Sequence, residues 1–464
     1  MKKKFERIAL PLIALAAAAS ITSCNVDDPY ANKSDGNPDA SASISDVDVD
    51  VPSDISAEVH ILIPSGNDNE TTMIKTAWDE GFSLQYPNAS LKLEYTSVSS
   101  YETSVRNMAM SGKLADIVWT NSPEYLYLIK NDIAEPLDGY ISSETKANRW
   151  NWSDYRKAYF DMGSLNGVHY VVPRSADSVV CFYNKKLLQD ANIDMSKIKD
   201  GWTWDDFKSV CESWMEHLRS QGNADGNYAC DMYLTGWGSV GYPMLRSYGA
   251  DVLNEKGEVV IDSQGTRDMI KEIRDITDKG YIVRAGVTSG SSFEFGTTPF
   301  CFQSASISHY DTKANIKGNV DLVTLPLIEA NHSPKVGAGI AGYTINKKSA
   351  NKKIAWKFLQ YLVSREGQEY MAEGGLNLAP IRSDMDDFTK EKWGEGYTDK
   401  NLGAYLKNDE YKITEEYLSR ADIKYMSRLQ LAFQDFLMDA SQARKTVDAV
   451  VTSAVSNFKS AMGQ

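Results

Sequence analysis

Polar side chains and aromatic rings follow two apolar runs that are typical of buried strands. Asn67 and Asp68 come after the first run, and Trp119 ends the second, with Asn121 two residues on. Carboxylates and amides bind hydroxyl groups, while flat rings cover weakly polar C–H faces. Together they predict binding of a hydroxyl-rich small molecule. The structural alternatives stay open, because Asn and Asp also form turns and Trp119 could equally point into the core.

A glycine-rich loop at 236–241 carries two more candidates. Trp237 lies within this loop and Tyr242 directly follows it. Helix or strand packing alone cannot bury a ring in such a loop, so these rings either stack on a ligand or anchor the loop. Arg382 is a further candidate, which can bond a ligand hydroxyl or, as is more common, form a surface salt bridge.

Residues that could support catalysis are scattered. The 5 His form no His-x-x-x-His pair, and there is no Gly-x-Ser-x-Gly, Walker or dinucleotide fingerprint. We therefore predict that the protein is not an enzyme, with no catalytic residue, metal site or cofactor. The many Asp and Glu residues keep a carboxylate-pair glycosidase open as an alternative. Cys181, Cys211, Cys230 and Cys301 match no zinc spacing, and both buried free thiols and one disulfide stay open.

Composition excludes one class of partner. The chain has 464 residues, with 49 Lys and Arg against 63 Asp and Glu, which gives a formal net charge of -14. This balance argues against nucleic-acid binding, because phosphate recognition needs clustered cations. A single core would be unusually large at this length, so two lobes or domains are expected.

The N-terminus has the pattern of an export signal. Basic residues open the chain, and the uncharged run at 8–23 that follows is short for a membrane-spanning helix. We predict a signal peptide over 1–23. Residues 21–24 resemble a bacterial lipobox, which implies a lipid on the thiol of Cys24 and attachment to a membrane surface. An ordinary signal peptide with a chance cysteine is the alternative.

An acidic segment follows the predicted signal. Residues 25–57 hold eight Asp and one Lys among small polar residues. Such a composition buries too little apolar surface to offset chain ordering, so 24–57 is predicted to be a lipidated, flexible and self-repelling tether. Carboxylates alternate at 45–50, which suggests calcium binding as an alternative, but the glycine turn and terminal Glu of a calcium loop are missing.

After the acidic segment the pattern becomes that of an α/β fold. Strand-like runs alternate with amphipathic helical runs, which predicts a parallel sheet covered by helices and a ligand beyond the carboxyl ends of its strands. The same alternation returns in the second half of the chain. Extended backbone at 173–178, 325–326 and 379–380 suits three crossovers between two lobes.

A series of short motifs runs along this body, and their order and spacing are more specific than any one of them. In chain order they are Ala115-Asp116-Ile117-Val118, 133–140, 166–173 with 182–188, Trp202-Thr203-Trp204-Asp205-Asp206-Phe207, 300–310, Ala355-Trp356-Lys357-Phe358-Leu359 and 374–380. The series spans 58–382 and resembles the extracellular solute-binding proteins of family 1, the carbohydrate-binding subunits of ABC importers.

The resemblance implies three further site residues. The family often places a ligand-binding acid between the two motifs at 166–173 and 182–188, which implies this role for Asp177. The segment at 300–310 is similar to one that ends in a ligand-facing aromatic residue, which implies Tyr310 together with its neighbour Asp311.

The resemblance also implies a fold. It is a two-lobed α/β fold, similar to the type II periplasmic-binding-protein fold, whose lobes close about a hinge on a ligand in the cleft. The expected first lobe comprises 58–176 and 326–378, and the second comprises 177–325 and 379–464.

The implied function is transport. A monomer exported to the outer face of the cytoplasmic membrane, or to the periplasmic side in a two-membrane cell, would be held there by the lipid on Cys24. It would capture a sugar or oligosaccharide and deliver it to the permease subunits of an ABC transporter. A peptide, polyamine or metal ligand is the alternative to a carbohydrate.

Overall fold

Two mixed sheets organise this computed structural model, which describes residues 45–66, 68–235, 240–287, 292–371, 379–385, 396–442 and 444–464. The strands are β1 (Ala57–Pro64), β2 (Ala89–Thr96), β3 (Ile117–Asn121), β4 (Ser164–Leu165), β5 (Val168–His169), β6 (Val172–Pro173), β7 (Asp177–Ser178), β8 (Val180–Asn184), β9 (Cys230–Met232), β10 (Phe300–Gln303), β11 (Val320–Thr324), β12 (Val336–Gly339), β13 (Ala341–Ile345) and β14 (Lys412–Ile413).

The helices lie mainly between the strands. They are α1 (Asp68–Thr76), which continues through a π-helical turn at Ala77–Phe82 into α2 (Ser83–Gln85), α3 (Tyr101–Met110), α4 (Tyr125–Lys130), α5 (Asp138–Lys146), α6 (Lys157–Met162), α7 (Lys185–Asp190), α8 (Trp204–Ser220), α9 (Gly241–Ser247), α10 (Gln264–Asp278), α11 (Ile307–Asp311), α12 (Lys352–Leu362), α13 (Arg365–Met371), α14 (Met426–Ala440) and α15 (Val447–Ala461). In the described parts of the chain, every helix is too short or too polar to cross a lipid bilayer.

The first sheet has the strand order β2-β1-β3-β13-β6. β1 runs parallel to β2 and β3, while β13 runs antiparallel to β3 and β6. Val59, Ile61, Leu62 and Ile63 of β1 are fully buried. Burial on both faces is what a central parallel strand requires, and the near-continuous apolar run of β1 meets it.

The second sheet has the strand order β11-β8-β10-β9. β8 runs antiparallel to β10 and β11, and β10 runs parallel to β9. α8 covers this sheet and begins at a capping box, in which Thr203 and Asp206 each accept a hydrogen bond from the other's backbone N–H. The ring of Phe207 then packs edge-on against Phe300, with 5.7 Å between ring centroids.

The chain crosses between the sheets along a short antiparallel ladder. It leaves the first sheet after β6, passes through β7 and enters the second sheet with β8. It returns through β12 to β13, and β7 pairs with β12 on the way. A third segment joins them where the Ala176 N–H donates to the Ala379 carbonyl at 2.8 Å. The result is a two-lobed α/β fold with crossover strands between the lobes.

Two predicted lobe boundaries fall before the observed changes of sheet. After 325 the chain still bonds to helical elements of the second lobe, since the Leu327 N–H donates to the Trp202 carbonyl just before α8 and the Lys335 N–H to the Ser247 hydroxyl of α9. After 378 it still bonds to first-lobe elements, since the Arg156 N–H donates to the Ile381 carbonyl. In both places Pro marked a break in local structure, but long-range pairing decides where the chain changes lobe.

The prediction of a flexible tether over 24–57 is wrong for its described part. Residues 45–57 lie on the first lobe, where Val49 is buried and Asp46 is paired with Lys146. Bulk composition pointed to disorder, but Val and Asp alternate here, so that one edge is apolar and the other acidic. Residues 24–44, including Cys24, lie outside the described residues.

Candidate functional site

Both sheets present the same kind of edge to the crossover ladder. In the first sheet, parallel strands end at Pro64, Thr96 and Asn121. In the second sheet, β9 and β10 run in the same direction and end at Met232 and Gln303. Ligands in open α/β sheets bind beyond the carboxyl ends of such strands. We call this region the crossover edge and take it as the candidate site.

Asn121 and Asp177 both lie at the crossover edge, on strands that pair with the returning chain. Asn121 pairs with Ala341 in β13 and Asp177 pairs with Gly339 in β12, so their two partners lie two positions apart in the returning chain. Ile340, the residue between these two partners, is fixed next to β3 because the Ser122 N–H donates to the Ile340 carbonyl at 3.0 Å. Two residues 56 positions apart in the sequence are therefore placed against the same short stretch of the returning chain, at positions 339–341.

The carboxylate of Asp177 is held by the second lobe. It accepts a hydrogen bond from the hydroxyl of Ser304, the residue directly after β10. Burial raises the pKa of Asp177 above its ordinary value, and the Ser304 bond opposes this shift. Because Ser304 bonds to one carboxylate oxygen, the other can accept a hydrogen bond from a ligand hydroxyl.

Trp119 is half-buried near the end of β3. Tyr101 packs edge-on against its ring, with 5.6 Å between centroids, and the Tyr101 hydroxyl lies 2.9 Å from the Trp119 carbonyl. The buried indole N–H of Trp119 has no hydrogen-bond partner among the described residues. Such a donor usually finds a partner, so a ligand or an ordered water suits this position.

A buried polar cluster beside Trp119 was missed at the sequence level. Tyr343 is the cross-strand neighbour of Trp119, and its hydroxyl donates to the carboxylate of Glu70. Glu70 also accepts a hydrogen bond from the guanidinium of Arg174, which follows β6. Burial lowers the pKa of Arg174. A charged residue directly after Pro173, inside the predicted crossover, was the available signal.

The remaining predicted residues of the first lobe are solvent-exposed or paired within the protein. Asp68 is exposed at the first position of α1, where a carboxylate favours the helix dipole. Arg382 forms two hydrogen bonds of 2.8 Å with Asp384, and its guanidinium lies 5.1 Å from the ring centroid of Tyr155. This placement matches the salt-bridge alternative for Arg382. Asn67 lies outside the described residues.

Tyr242 and Tyr310 of the second lobe are core residues. Tyr242 has 0% exposure, packs against Tyr417 and donates to Asp251 at 3.0 Å. Tyr310 has 3% exposure, with 4.6 Å between its ring centroid and that of Phe182. Both rings are covered by protein atoms and neither is open to stacking on a ligand in this structure.

Asp311 and Trp237 complete the predicted set. The carboxylate of Asp311 accepts a hydrogen bond from the Gly318 N–H at 2.9 Å, which is a local turn contact. Trp237 lies outside the described residues. The structure thus places Trp119, Asn121 and Asp177 at the crossover edge, whereas Tyr242, Tyr310 and Asp311 have their contacts elsewhere in the second lobe.

The sequence matches a known family. The pattern of bacterial extracellular solute-binding proteins covers residues 66–369. The chain belongs to this family. The family is extracellular and binds solutes, so this is an exported binding protein, and its relatives are binding proteins and not enzymes.

Individual relatives of this solute-binding protein are distant. A binding protein of Brucella abortus is 22% identical over 328 residues, which cover 66% of this chain and 73% of the relative. An arabinooligosaccharide-binding protein of Halalkalibacterium halodurans is 22% identical over 298 residues, which cover 59% of each chain.

Solved structures confirm the predicted fold. The cyclic alpha-maltosyl-1,6-maltose binding protein of Arthrobacter globiformis superposes with a TM-score of 0.70 at 17% identity, over 88% of this chain and 99% of the other. At this identity the likeness shows the fold of the solute-binding protein, the two-lobed α/β fold that the motif series implied.

One further aromatic residue of this solute-binding protein lies at the crossover edge. Tyr233 directly follows β9 and is 47% exposed, which is unusual for a large ring at a strand end. Its neighbour Asp231 accepts the Phe293 N–H at 2.7 Å, and burial raises the pKa of Asp231 to about 6. A tyrosine at the end of a short strand, just before the glycine-rich loop, was the signal that could have found it.

The four described cysteines are free and buried. Burial raises the pKa of the Cys301 thiol and of Cys181, Cys211 and Cys230 as well. Reactive cysteines need an accessible thiolate, so these thiols are core residues of the second lobe. Of the two alternatives that the sequence left open, the structure has the free thiols.

Proposed function

We propose that this protein captures a sugar or oligosaccharide at the crossover edge by closure of its lobes and delivers it to the permease subunits of an ABC transporter. The proposal is carried by the placement of Asn121 and Asp177 at the crossover edge, where they pair with Ala341 and Gly339 of the same returning chain. An amide and a carboxylate there can bond ligand hydroxyls, while both lobes reach the same ligand.

Two rings supply the apolar side of such a site. Trp119 lies on the first-lobe side of the crossover edge and Tyr233 on the second-lobe side. Rings on opposite sides can cover the C–H faces of a sugar when the lobes close. The arabinooligosaccharide-binding relative and the maltosyl-maltose-binding neighbour favour an oligosaccharide over other solutes.

We further propose that the protein acts as a lipid-anchored monomer. The lipobox-like residues 21–24 support acylation of Cys24, which would hold the chain at a membrane surface. The bound sugar would be released unchanged, since the crossover edge offers groups for binding and hydrogen bonding.

Thermal shift against a saccharide panel tests the ligand class. Arabino- and malto-oligosaccharides, linear and cyclic, would be added to the exported chain, and a ligand at 100 times its Kd should stabilise the fold by about 2.7 kcal/mol. A shift with oligopeptides, polyamines or metal ions and none with any saccharide would refute the proposal. Reducing sugar that accumulates over hours would instead indicate a glycosidase.

The matched variants are Trp119→Ala and Trp214→Ala. Trp214 lies on the buried face of α8, and its indole N–H donates to the Tyr228 carbonyl in the second-lobe core. The first change should remove the saccharide-induced shift, while the second should lower the melting temperature and leave the shift in place.

A further inference from the structure

The segment 45–51 is built as a two-edged strip against the first lobe. Val47, Val49 and Val51 alternate with three Asp residues. Val49 is 5% exposed and belongs to the first-lobe core, and Val47 and Val51 pack against that core. The Val47 N–H also bonds to the Gly139 carbonyl in α5. The apolar edge therefore lies against the helices.

Gly139 leaves room for this strip. A Cβ atom at position 139 would lie 2.7 Å from the Ser45 carbonyl oxygen and 2.8 Å from a methyl group of Val47. Contacts this short do not occur in folded proteins, so the glycine permits the close approach of the strip to α5.

The acidic edge pairs with three cations of the first lobe. Asp46 bonds to Lys146 at 2.5 Å, Asp48 to Lys353 at 2.5 Å and Asp50 to Arg149 at 3.1 Å. Their partners belong to α5, to the turn after it and to α12. The bonds to Lys146 and Lys353 lower the pKa of Asp46 and Asp48, respectively. Each carboxylate of the strip thus bonds to a different cation, and Arg149 also bonds to Glu144 at 2.5 Å.

We propose that residues 45–51 form a charge-locked strap that fixes the exit of the membrane tether to the first lobe. The part of this proposal that concerns the membrane depends on the proposed lipidation of Cys24. The chain from Cys24 to Ser45 spans at most about 70 Å, and release of the strap as far as Pro52 would extend that reach to about 95 Å. A docked strap thus keeps the protein nearer the membrane and leaves the second lobe unattached.

The ion pairs make the strap sensitive to salt. All three are exposed to solvent, and such pairs weaken as ionic strength rises. When the charges are screened, only the valine contacts hold the strap, and of the three valines only Val49 is buried. We therefore expect local release of 45–51 in high salt while the rest of the first lobe stays folded.

Hydrogen exchange measured by mass spectrometry tests the strap. The full exported chain with Cys24→Ser would be used, so that the result does not depend on lipidation. Exchange over 45–51 should accelerate at least about tenfold in the triple variant Asp46→Asn, Asp48→Asn, Asp50→Asn, and also in the unmodified strap at 1 M NaCl. Exchange elsewhere and the saccharide Kd should not change.

The control carries the same charge change at other exposed sites, in the triple variant Asp54→Asn, Asp225→Asn, Asp435→Asn. Its exchange over 45–51 should match the unmodified strap. A charge swap adds a second check: Asp48→Lys should release the strap, and Lys353→Asp added to it should restore protection. Equal exchange in the unmodified and Asn strap, or no restoration by the swap, would overturn the proposal.

Discussion

Glu70 in the first helix bonds to Arg174, which lies where the chain leaves the first sheet for the crossover ladder. The Tyr343 hydroxyl donates to the same carboxylate. Glu70 has 0% exposure, and these two contacts help to compensate its buried charge. The ion pair thereby ties α1 to the base of the first crossover.

We predict that Glu70→Gln lowers the free energy of unfolding by about 3–5 kcal/mol, because it leaves the buried guanidinium of Arg174 without its counter-charge. Urea unfolding measures the loss. Glu80→Gln, at an exposed position of the following helical turn, should change stability by no more than about 0.5 kcal/mol. A Glu70 variant as stable as the Glu80 variant would contradict the pairing.

The second prediction concerns Asp177. Its isosteric change Asp177→Asn should weaken saccharide binding by about 1.5–3 kcal/mol, since a charged acceptor of a ligand hydroxyl is lost. That is a factor of roughly ten to one hundred in Kd, which isothermal titration calorimetry would resolve. Burial already disfavours the Asp177 carboxylate, as its raised pKa indicates, so the melting temperature should hold or rise. An unchanged saccharide Kd in the Asp177→Asn variant would show that Asp177 does not bind the ligand.

Sequence patterns were sufficient for the fold because its signals are local. The apolar run of β1 and the capping box of α8 each lie within a few neighbouring residues. The place of Asp177 in the crossover also followed from flanking motifs. These features depend on neighbours along the chain, which the sequence displays directly.

The ion pairs could not be predicted because their partners are distant in sequence. Arg174 lies 104 residues from Glu70, and Lys353 lies 305 residues from Asp48. The sequence of the strap by itself therefore predicts a self-repelling tether, because the cations that pair with its Asp residues lie far away in the chain. For the same reason, Tyr242 looked loop-bound until Tyr417 was seen to cover its ring.

Two tyrosines of the second lobe provide a paired prediction. Tyr233→Ala should weaken saccharide binding, because an exposed ring at the crossover edge is lost, and should leave stability within about 0.5 kcal/mol. Tyr242→Ala should instead destabilise the fold by about 3–5 kcal/mol, the range for large aromatic residues in cores. Calorimetric Kd and urea unfolding on both variants separate the two roles. Equal effects of the two changes on Kd would contradict the assignment of Tyr233 to the site.

The last prediction follows from His169. Burial acts to lower its pKa, but bonds to Asp138 at 2.8 Å and Asp161 at 3.2 Å outweigh it, and the pKa is raised above the ordinary 6.5. A raised folded-state pKa means that the protonated ring stabilises the fold at low pH, and that this contribution is lost as pH rises through the folded-state value.

We therefore expect His169→Gln to cost most stability near pH 5.5 and progressively less above pH 7, as measured by urea unfolding at several pH values. Burial raises the pKa of Glu124 to about 7, so the stabilising contribution of its protonated form also falls as pH rises. This change occurs in the unmodified protein and in the His169→Gln variant alike, and it cancels when their free energies of unfolding are subtracted. His332→Asn, at an exposed turn with a φ of 53° that Asn tolerates, is the control and should change the free energy of unfolding by no more than about 0.5 kcal/mol. A loss for His169→Gln that grows with pH would mean that the ring stabilises the fold in its neutral form.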